Sequence, residues 1–119
     1  PTQTVLKRGL WNETGNMSFF VSSDGGDSSF IEPHIYTDTV SVKCERLENY
    51  VKGRVRCLKL EAEGAEPEVL LGLGSAISMI EYITADLGFE RGPNQESTLT
   101  PVVNFILANE FGLKRIIPY

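Results

Sequence analysis

The chain contains few of the residues that mark metal-binding, disulfide-linked or nucleic-acid-binding proteins. Its 119 residues include two cysteines and one histidine, and 11 basic residues stand against 16 acidic ones, for a net charge of −5. His34 has no cysteine or histidine at ligand spacing, so we assign no metal and expect an ordinary surface histidine. The basic residues are scattered and offer little to a phosphate backbone. Nucleic acid is therefore not an expected partner.

Long apolar runs and secretory signals are also missing. No stretch approaches about eighteen consecutive apolar residues, and no charged leader with an apolar core opens the sequence. We expect a soluble, cytoplasmic protein with no membrane contact, whose Cys44 and Cys57 are buried free thiols. The G-x-G-x-x-G, G-x-S-x-G and Walker patterns are absent as well, although a complete nucleotide-binding domain is expected to show one of them.

The chain is long enough for one domain with one core, and its first part, residues 1–50, is rich in strand patterns. Residues 4–11 and 17–22 flank a cluster of turn-forming residues, which predicts a hairpin with a five-residue loop. Residues 37–44 alternate between apolar and polar side chains and predict a half-buried strand. A short helical turn is expected over 46–50.

The second part, residues 51–119, alternates strand and helix patterns. Strands are predicted over 56–60, 80–87 and 113–117, separated by a helix that Pro67 opens and by a helix from Pro101, capped by Thr100, to about residue 109. This alternation predicts a parallel α/β sheet. The nearly continuous apolar character of 80–87 indicates a strand that is buried on both faces.

Acidic residues follow two of these strands. Glu61 and Glu63 are two residues apart, so in extended backbone they point to the same side with origins about 7 Å apart. Such a pair can perform acid-base chemistry or hold a hard metal ion; alternatively, one acid ends the strand and the other caps the helix. Gly64 marks a tight turn or a close backbone approach. Asp86 and Glu90 end the next strand and lie beside the first pair if the strands are neighbours.

Residues 58–72, LKLEAEGAEPEVLLG, resemble the signature of FkbM-type S-adenosylmethionine-dependent methyltransferases. In that family a strand ending in Lys-(Ile/Leu)-(Asp/Glu)-x-Glu-Gly runs into Ala-Glu-x-Glu-Val-Leu-x-Gly. Supporting patterns follow the family order at 10–15, 27–29, 42–50 and 80–86. Glu61 stands where the family usually has Asp. Glutamate keeps the negative charge, but its side chain is one methylene longer.

The resemblance implies an α/β fold: a partial Rossmann-like class I methyltransferase sheet, with a parallel βαβαβ half preceded by a β-hairpin-rich segment. The family's glycine-rich cofactor loop and the acidic residue for the ribose are not found, so we expect an N-terminally truncated domain. The implied cofactor is S-adenosylmethionine, and the implied reaction is O-methylation of a small molecule or a sugar. A homo-oligomer is allowed.

The resemblance also implies roles for eight residues. The implied catalytic residues are Glu61 and Glu63, the cofactor-binding residues are Leu10, Trp11, Glu61 and Gly64, and the acceptor-binding residues are Ser28, Ser29 and Asp86. Two alternatives stay open at this point. One is a noncatalytic α/β module that binds a partner, and the other is a metal-dependent hydrolase that uses Glu61, Glu63 and Asp86.

Overall fold

Five strands, two α-helices and two 3₁₀ turns form in the computed structural model, which describes residues 2–23 and 26–118. The strands are β1 (Gly9–Leu10), β2 (Gly15–Val21), β3 (Asp38–Glu45), β4 (Val55–Leu60) and β5 (Ile80–Ala85). The helices are α1 (Glu66–Leu71) and α2 (Leu99–Ala108), and the 3₁₀ turns span Leu47–Tyr50 and Gly74–Met79. The result is a compact α/β fold with one mixed sheet and one parallel pair of strands.

The mixed sheet has the order β1-β3-β2, with β3 parallel to β1 and antiparallel to β2. The predicted hairpin between residues 4–11 and 17–22 is therefore wrong, because β2 pairs with the longer, alternating β3 instead. β1 has two residues, and the first of them, Gly9, lies where there is no room for a side chain. A Cβ on Gly9 would lie 2.5 Å from the Phe30 ring and 2.6 Å from the Cys44 sulfur.

The second sheet pairs β4 with β5 in parallel, and α1 lies between them in sequence. Pro67 is in the first turn of α1, as the sequence predicts, and Gly72 ends the helix. The predicted burial of β5 on both faces is wrong. Tyr82 and Thr84 are exposed, because it is Ile80, Ile83 and Ala85 that contact the core.

Two further boundaries differ from the prediction. Helix α2 begins at Leu99, two residues before the predicted start at Pro101. Its N-cap is the fully buried Thr98 instead of Thr100. Residues 113–117 are not a strand, because no strand of the described chain forms backbone hydrogen bonds with them. Phe111 packs against the core.

The core lies between the parallel pair and the two helices. Its buried members are Leu60, Val69, Leu70, Leu73, Ile77, Ile80 and Val102. Cys44 is buried and free, and burial raises the pKa of its thiol, whereas Cys57 is free but exposed. The predicted burial of Cys57 is wrong, because its strand position is paired with the exposed Tyr82 on the same face. None of the helices in the described residues is long and apolar enough to cross a membrane.

Candidate functional site

The acidic turn, residues 61–68, connects the end of β4 to α1. The backbone leaves β geometry at Glu63, whose φ is 46°, and continues through Gly64 with a φ of 98°. The extended geometry expected for Glu61 and Glu63 therefore ends at the second of them, and the two carboxylates do not stand side by side as in a strand. A left-handed backbone at a glutamate is uncommon, so neighbouring contacts must hold it.

Glu66 holds the turn closed from inside. Its side chain is buried, with 1% of the residue exposed. The carboxylate accepts hydrogen bonds from the amide of Ala62 at 2.7 Å and from the amide of Gly64 at 3.1 Å. Backbone amides that the turn would otherwise leave without partners are satisfied in this way. The role of Glu66 is therefore structural.

Arg91 clamps the loop after β5 onto the same turn. Its guanidinium forms a two-bond pair with the Glu68 carboxylate at 2.7 and 2.8 Å and also donates to the Gly64 carbonyl at 2.7 Å. The hydrogen bond to Glu68 is the main cause that raises the pKa of Arg91. A Cβ on Gly64 would lie 3.0 Å from the Arg91 Cα. Gly64 thus supplies both a tight turn and a close backbone approach, and Arg91 fills the space beside it.

Ser29 fixes the loop between β2 and β3 to the acidic turn from the other side. Only 2% of the residue is exposed, and its hydroxyl donates to the Glu63 carbonyl at 2.7 Å while accepting from the amide of Ile31 at 3.0 Å. Ser28 contributes locally, where its hydroxyl accepts from the amide of Ser22 at 3.0 Å. The predicted Ser-Ser loop is therefore brought to the acidic turn through Ser29.

A cavity of about 290 Å³ opens where these three segments meet, and we call it the Glu63 cavity. It is lined by Asp27, Pro33, His34, Ile35, Glu63, Phe89, Glu90, Gly92 and Gln95. Partial burial is the largest cause that raises the pKa of Glu63, followed by the negative charges of Glu90 and Asp27. Within residues 2–23 and 26–118, the Glu63 carboxylate has no hydrogen-bond donor or cation as a partner.

Two of the other predicted acids, Glu61 and Asp86, lie outside the lining of this cavity, whereas Glu90 belongs to it. Glu61 pairs with Lys59 at 2.7 Å on the surface, and the pKa of Lys59 is raised mainly by that hydrogen bond. Asp86 follows β5, and its amide donates to the Leu60 carbonyl at 3.0 Å. The expectation that the two acidic strand ends are neighbours is confirmed by the β4–β5 pairing.

The residues assigned to the cofactor are divided between the two ends of α1. The carbonyl of Trp11 lies against Gly72, where an added Cβ would be 2.5 Å from it, and the Trp11 ring packs 6.1 Å from Phe30. Leu10 packs on the core. Gly64 precedes α1, whose six residues span about 9 Å. The residues assigned to the cofactor therefore do not all lie at the acidic turn.

Most of the residues that line the Glu63 cavity have no distinguishing pattern in the sequence. His34 is exposed, as expected for a surface residue, but it also lines the Glu63 cavity. Phe89 and Gln95 belong to a loop with no distinctive pattern, and the left-handed Gln95, with a φ of 50°, is a property of the backbone alone. The Ser-Ser pattern at Ser28 and Ser29 belongs to the loop between β2 and β3, and it was the only sequence feature that pointed toward that loop.

No protein-family model, curated protein or solved structure matches this chain. Across residues 2–23 and 26–118, no group of three or more histidine, cysteine, aspartate or glutamate side chains is arranged to hold a metal ion. The site is therefore defined by its own geometry: a partly buried carboxylate without a partner, beside one histidine and two further acids, in a small cavity.

Proposed function

We propose that the chain carries the acceptor side of an S-adenosylmethionine-dependent methyltransferase of the FkbM type, built on part of a Rossmann-like sheet. The resemblance over residues 58–72 supports this, because it spans β4, the acidic turn and α1 without interruption. The parallel β4–β5 pair supports it further, since ligands of open α/β sheets bind beyond the carboxyl ends of their strands.

One observation carries the proposal. Among the four acids of the turn, Glu61 pairs with a lysine, Glu66 with backbone amides and Glu68 with an arginine, whereas Glu63 faces a cavity without such a partner in the described chain. A carboxylate that only supports a fold is usually paired. A partly buried carboxylate with a raised pKa beside a cavity suits proton transfer.

The proposed acceptor is a small molecule or a sugar that presents a hydroxyl to Glu63. The cavity volume of about 290 Å³ is near the lower end for small-molecule sites, about 300 Å³. Glu63 orients the hydroxyl and takes its proton as the oxygen becomes methylated. His34 and Gln95 offer hydrogen-bonding groups for other hydroxyls, and the exposed Phe89 offers an apolar surface to a sugar ring.

S-adenosylmethionine supplies an electrophilic methyl group when it is bound. Because the family's glycine-rich cofactor loop is not found in the sequence, we assign to this chain the tasks of binding the acceptor, orienting its hydroxyl and holding the proton. Glu63 replaces Glu61 as the residue proposed for the acid-base role, since the Glu61 carboxylate is already paired with Lys59.

The test is methyl transfer from labelled S-adenosylmethionine, at millimolar concentration, to a panel of methyl glycosides and small hydroxylated compounds. We expect transfer to one class of acceptor, and a decrease of about 100-fold or more for Glu63→Gln, which keeps the shape but cannot take the proton. Glu13→Gln is the matched control, because Glu13 is an exposed carboxylate in the turn before β2. Its rate should equal that of the unchanged protein.

Two other outcomes would reject the proposal. Saturable NMR shifts of the Glu63 and His34 signals with an acceptor, but no methyl transfer, would favour the noncatalytic binding module. A rise in melting temperature with a divalent ion, together with hydrolysis of a substrate, would favour the metal-dependent hydrolase. Equal rates for Glu63→Gln and Glu13→Gln would leave methyl transfer in place and remove Glu63 from it.

A further inference from the structure

A second and larger cavity lies beside β5, and we call it the edge groove. Its volume is about 910 Å³. One wall consists of residues 80–84 of β5, and the other consists of residues 109–115 and 117, which follow α2. The edge groove shares no lining residue with the Glu63 cavity, so its use does not depend on the proposed function.

The β5 wall carries backbone groups that the described chain leaves unused. Amide and carbonyl groups point to alternate sides along a strand, and the amide of Asp86 donates to the Leu60 carbonyl at the end of β4 at 3.0 Å. The amides of Glu81, Ile83 and Ala85 therefore point away from β4. Among the described strands β5 pairs with β4 alone, so this edge is open to a further strand.

The interior of the edge groove is apolar. Ile77, Ile83 and Ile106 line it and also belong to the core or pack against it, so the floor of the groove is continuous with the core. On the far wall, Leu113 and Ile117 are 48% and 63% exposed. Every second side chain of a strand points to the same face. A strand beside β5 would therefore cover this surface best with apolar residues at alternate positions.

The acid on the β5 wall is already neutralised. Glu81 pairs with Arg54 at 3.1 Å and with Arg56 at 2.5 Å. One carboxylate thus faces two guanidinium groups, whose side chains are about three-quarters exposed. This side of the groove has one positive charge more than it has negative charges, so it does not attract a basic ligand.

The far wall adds two more cations. Lys114 and Arg115 both line it, and in the described chain neither side chain forms an ion pair with a carboxylate. The Lys114 ammonium lies 5.3 Å from the centroid of the Tyr82 ring, a contact that leaves its charge unneutralised. Glu110 is the remaining acid of the lining. The edge groove therefore has a net positive charge and suits acidic side chains.

We propose that the edge groove binds an extended peptide of a partner protein, in which acidic and apolar side chains alternate. The backbone of the peptide pairs with the open edge of β5, its apolar side chains cover the floor, and its carboxylates meet Lys114 and Arg115. In strand addition of this kind, backbone hydrogen bonds supply affinity and alternate side chains supply specificity. A second copy's residues 112–118 do not fit, because their lysine and arginine would meet the same two cations.

Titration of the nitrogen-15-labelled chain with the peptide Ac-EVEIE-NH2, followed by NMR, tests this proposal. We expect saturable shifts of the Glu81 and Ile83 amide signals, because these amides gain carbonyl partners in the complex. The peptide Ac-KVKIK-NH2 should bind at least about tenfold more weakly, since it places like charges together. The acidic peptide with an N-methyl group on every residue keeps its side chains but cannot donate backbone hydrogen bonds, so it should also lose at least about tenfold.

Variants of the chain test the role of the two cations. Lys114→Gln combined with Arg115→Gln should weaken the binding of Ac-EVEIE-NH2 about tenfold. Both side chains are exposed, so the melting temperature should not change. Lys7→Gln combined with Arg8→Gln is the matched control, because this exposed basic pair lies outside the groove lining.

Four outcomes would overturn the proposal. One is the absence of saturable shifts at the Glu81 and Ile83 amides up to about millimolar peptide. The second is equal affinity for the acidic peptide and either the basic or the N-methylated peptide. The third is equal affinity of the double variant and the unchanged protein. The fourth is a shift of the same signals when the protein concentration rises without peptide, which would indicate a second copy in the groove.

Discussion

The ion pair between Arg91 and Glu68 holds the acidic turn in place. A double-mutant cycle measures the coupling energy between these two side chains. The side chains are 26% and 14% exposed, and the guanidinium makes two bonds to the carboxylate and a third to the Gly64 carbonyl. Removing one partner leaves a largely buried charge without its counterpart, so Arg91→Met and Glu68→Gln should each lower the free energy of unfolding by about 2–4 kcal/mol.

The two single variants should not cost the same. Arg91→Met also removes the hydrogen bond to the Gly64 carbonyl, so it should cost about 1 kcal/mol more than Glu68→Gln. The coupling energy between the two positions should be about 1.5–3 kcal/mol. Urea unfolding of the four proteins gives these values, provided that the slopes with denaturant agree among them.

The surface pair between Lys59 and Glu61 is the matched comparison. Its N–O distance of 2.7 Å equals the shorter distance in the Arg91 pair, but its side chains are 75% and 48% exposed. Water screens such a pair, so its coupling energy should be well below that of the Arg91 pair. A coupling for Arg91 and Glu68 no larger than that of the surface pair would refute the reasoning that burial makes this clamp strong.

Three further predictions concern the same site. Gly64→Ala should lower the free energy of unfolding by about 2–3 kcal/mol, because Gly64 has a left-handed backbone and lies close to Arg91. Gly53 has open space around it, so Gly53→Ala should change this free energy by less than about 0.5 kcal/mol. Urea unfolding measures both values. Ser29→Ala should cost about 1–3 kcal/mol and the exposed Ser41→Ala almost nothing, as measured by the same method. The pKa of Glu63 is raised in the folded protein, so its negative charge lowers the free energy of unfolding at pH values above that pKa. This effect disappears as the pH falls below the ordinary pKa of a carboxyl group. Glu63→Gln should therefore raise the free energy of unfolding at about pH 7 and leave it unchanged at about pH 3, and equal effects at both pH values would contradict the assignment.

The elements that were predicted well have their signals in adjacent residues. A short apolar run predicts β4, Pro67 marks the first turn of α1, and Gly72 marks its end. The 3₁₀ turn at Leu47–Tyr50 also follows from a local pattern. These features depend on backbone preferences within a few residues, so no distant contact is needed to specify them.

The strand pairings were predicted less well, because a strand does not specify its partner. β2 has the alternation of a hairpin strand, but it pairs with β3, which is longer and can satisfy all seven of its residues. Residues 113–117 have strand-forming side chains and no strand beside them, so they stay outside the sheets. Pairing depends on which edges the folded chain brings together, and the pattern within one strand does not contain that information.

The amino-acid sequence by itself determined that an acidic turn follows a strand and opens a helix, since proline, glycine and side-chain charge act locally. Only the tertiary structure decided which of the four acids stays without a partner. Arg91, Ser29 and Glu66 come from three separate parts of the chain, and together they fix the backbone so that the Glu63 carboxylate faces a cavity. The distinction between a structural carboxylate and a candidate functional one arises from contacts that only folding creates.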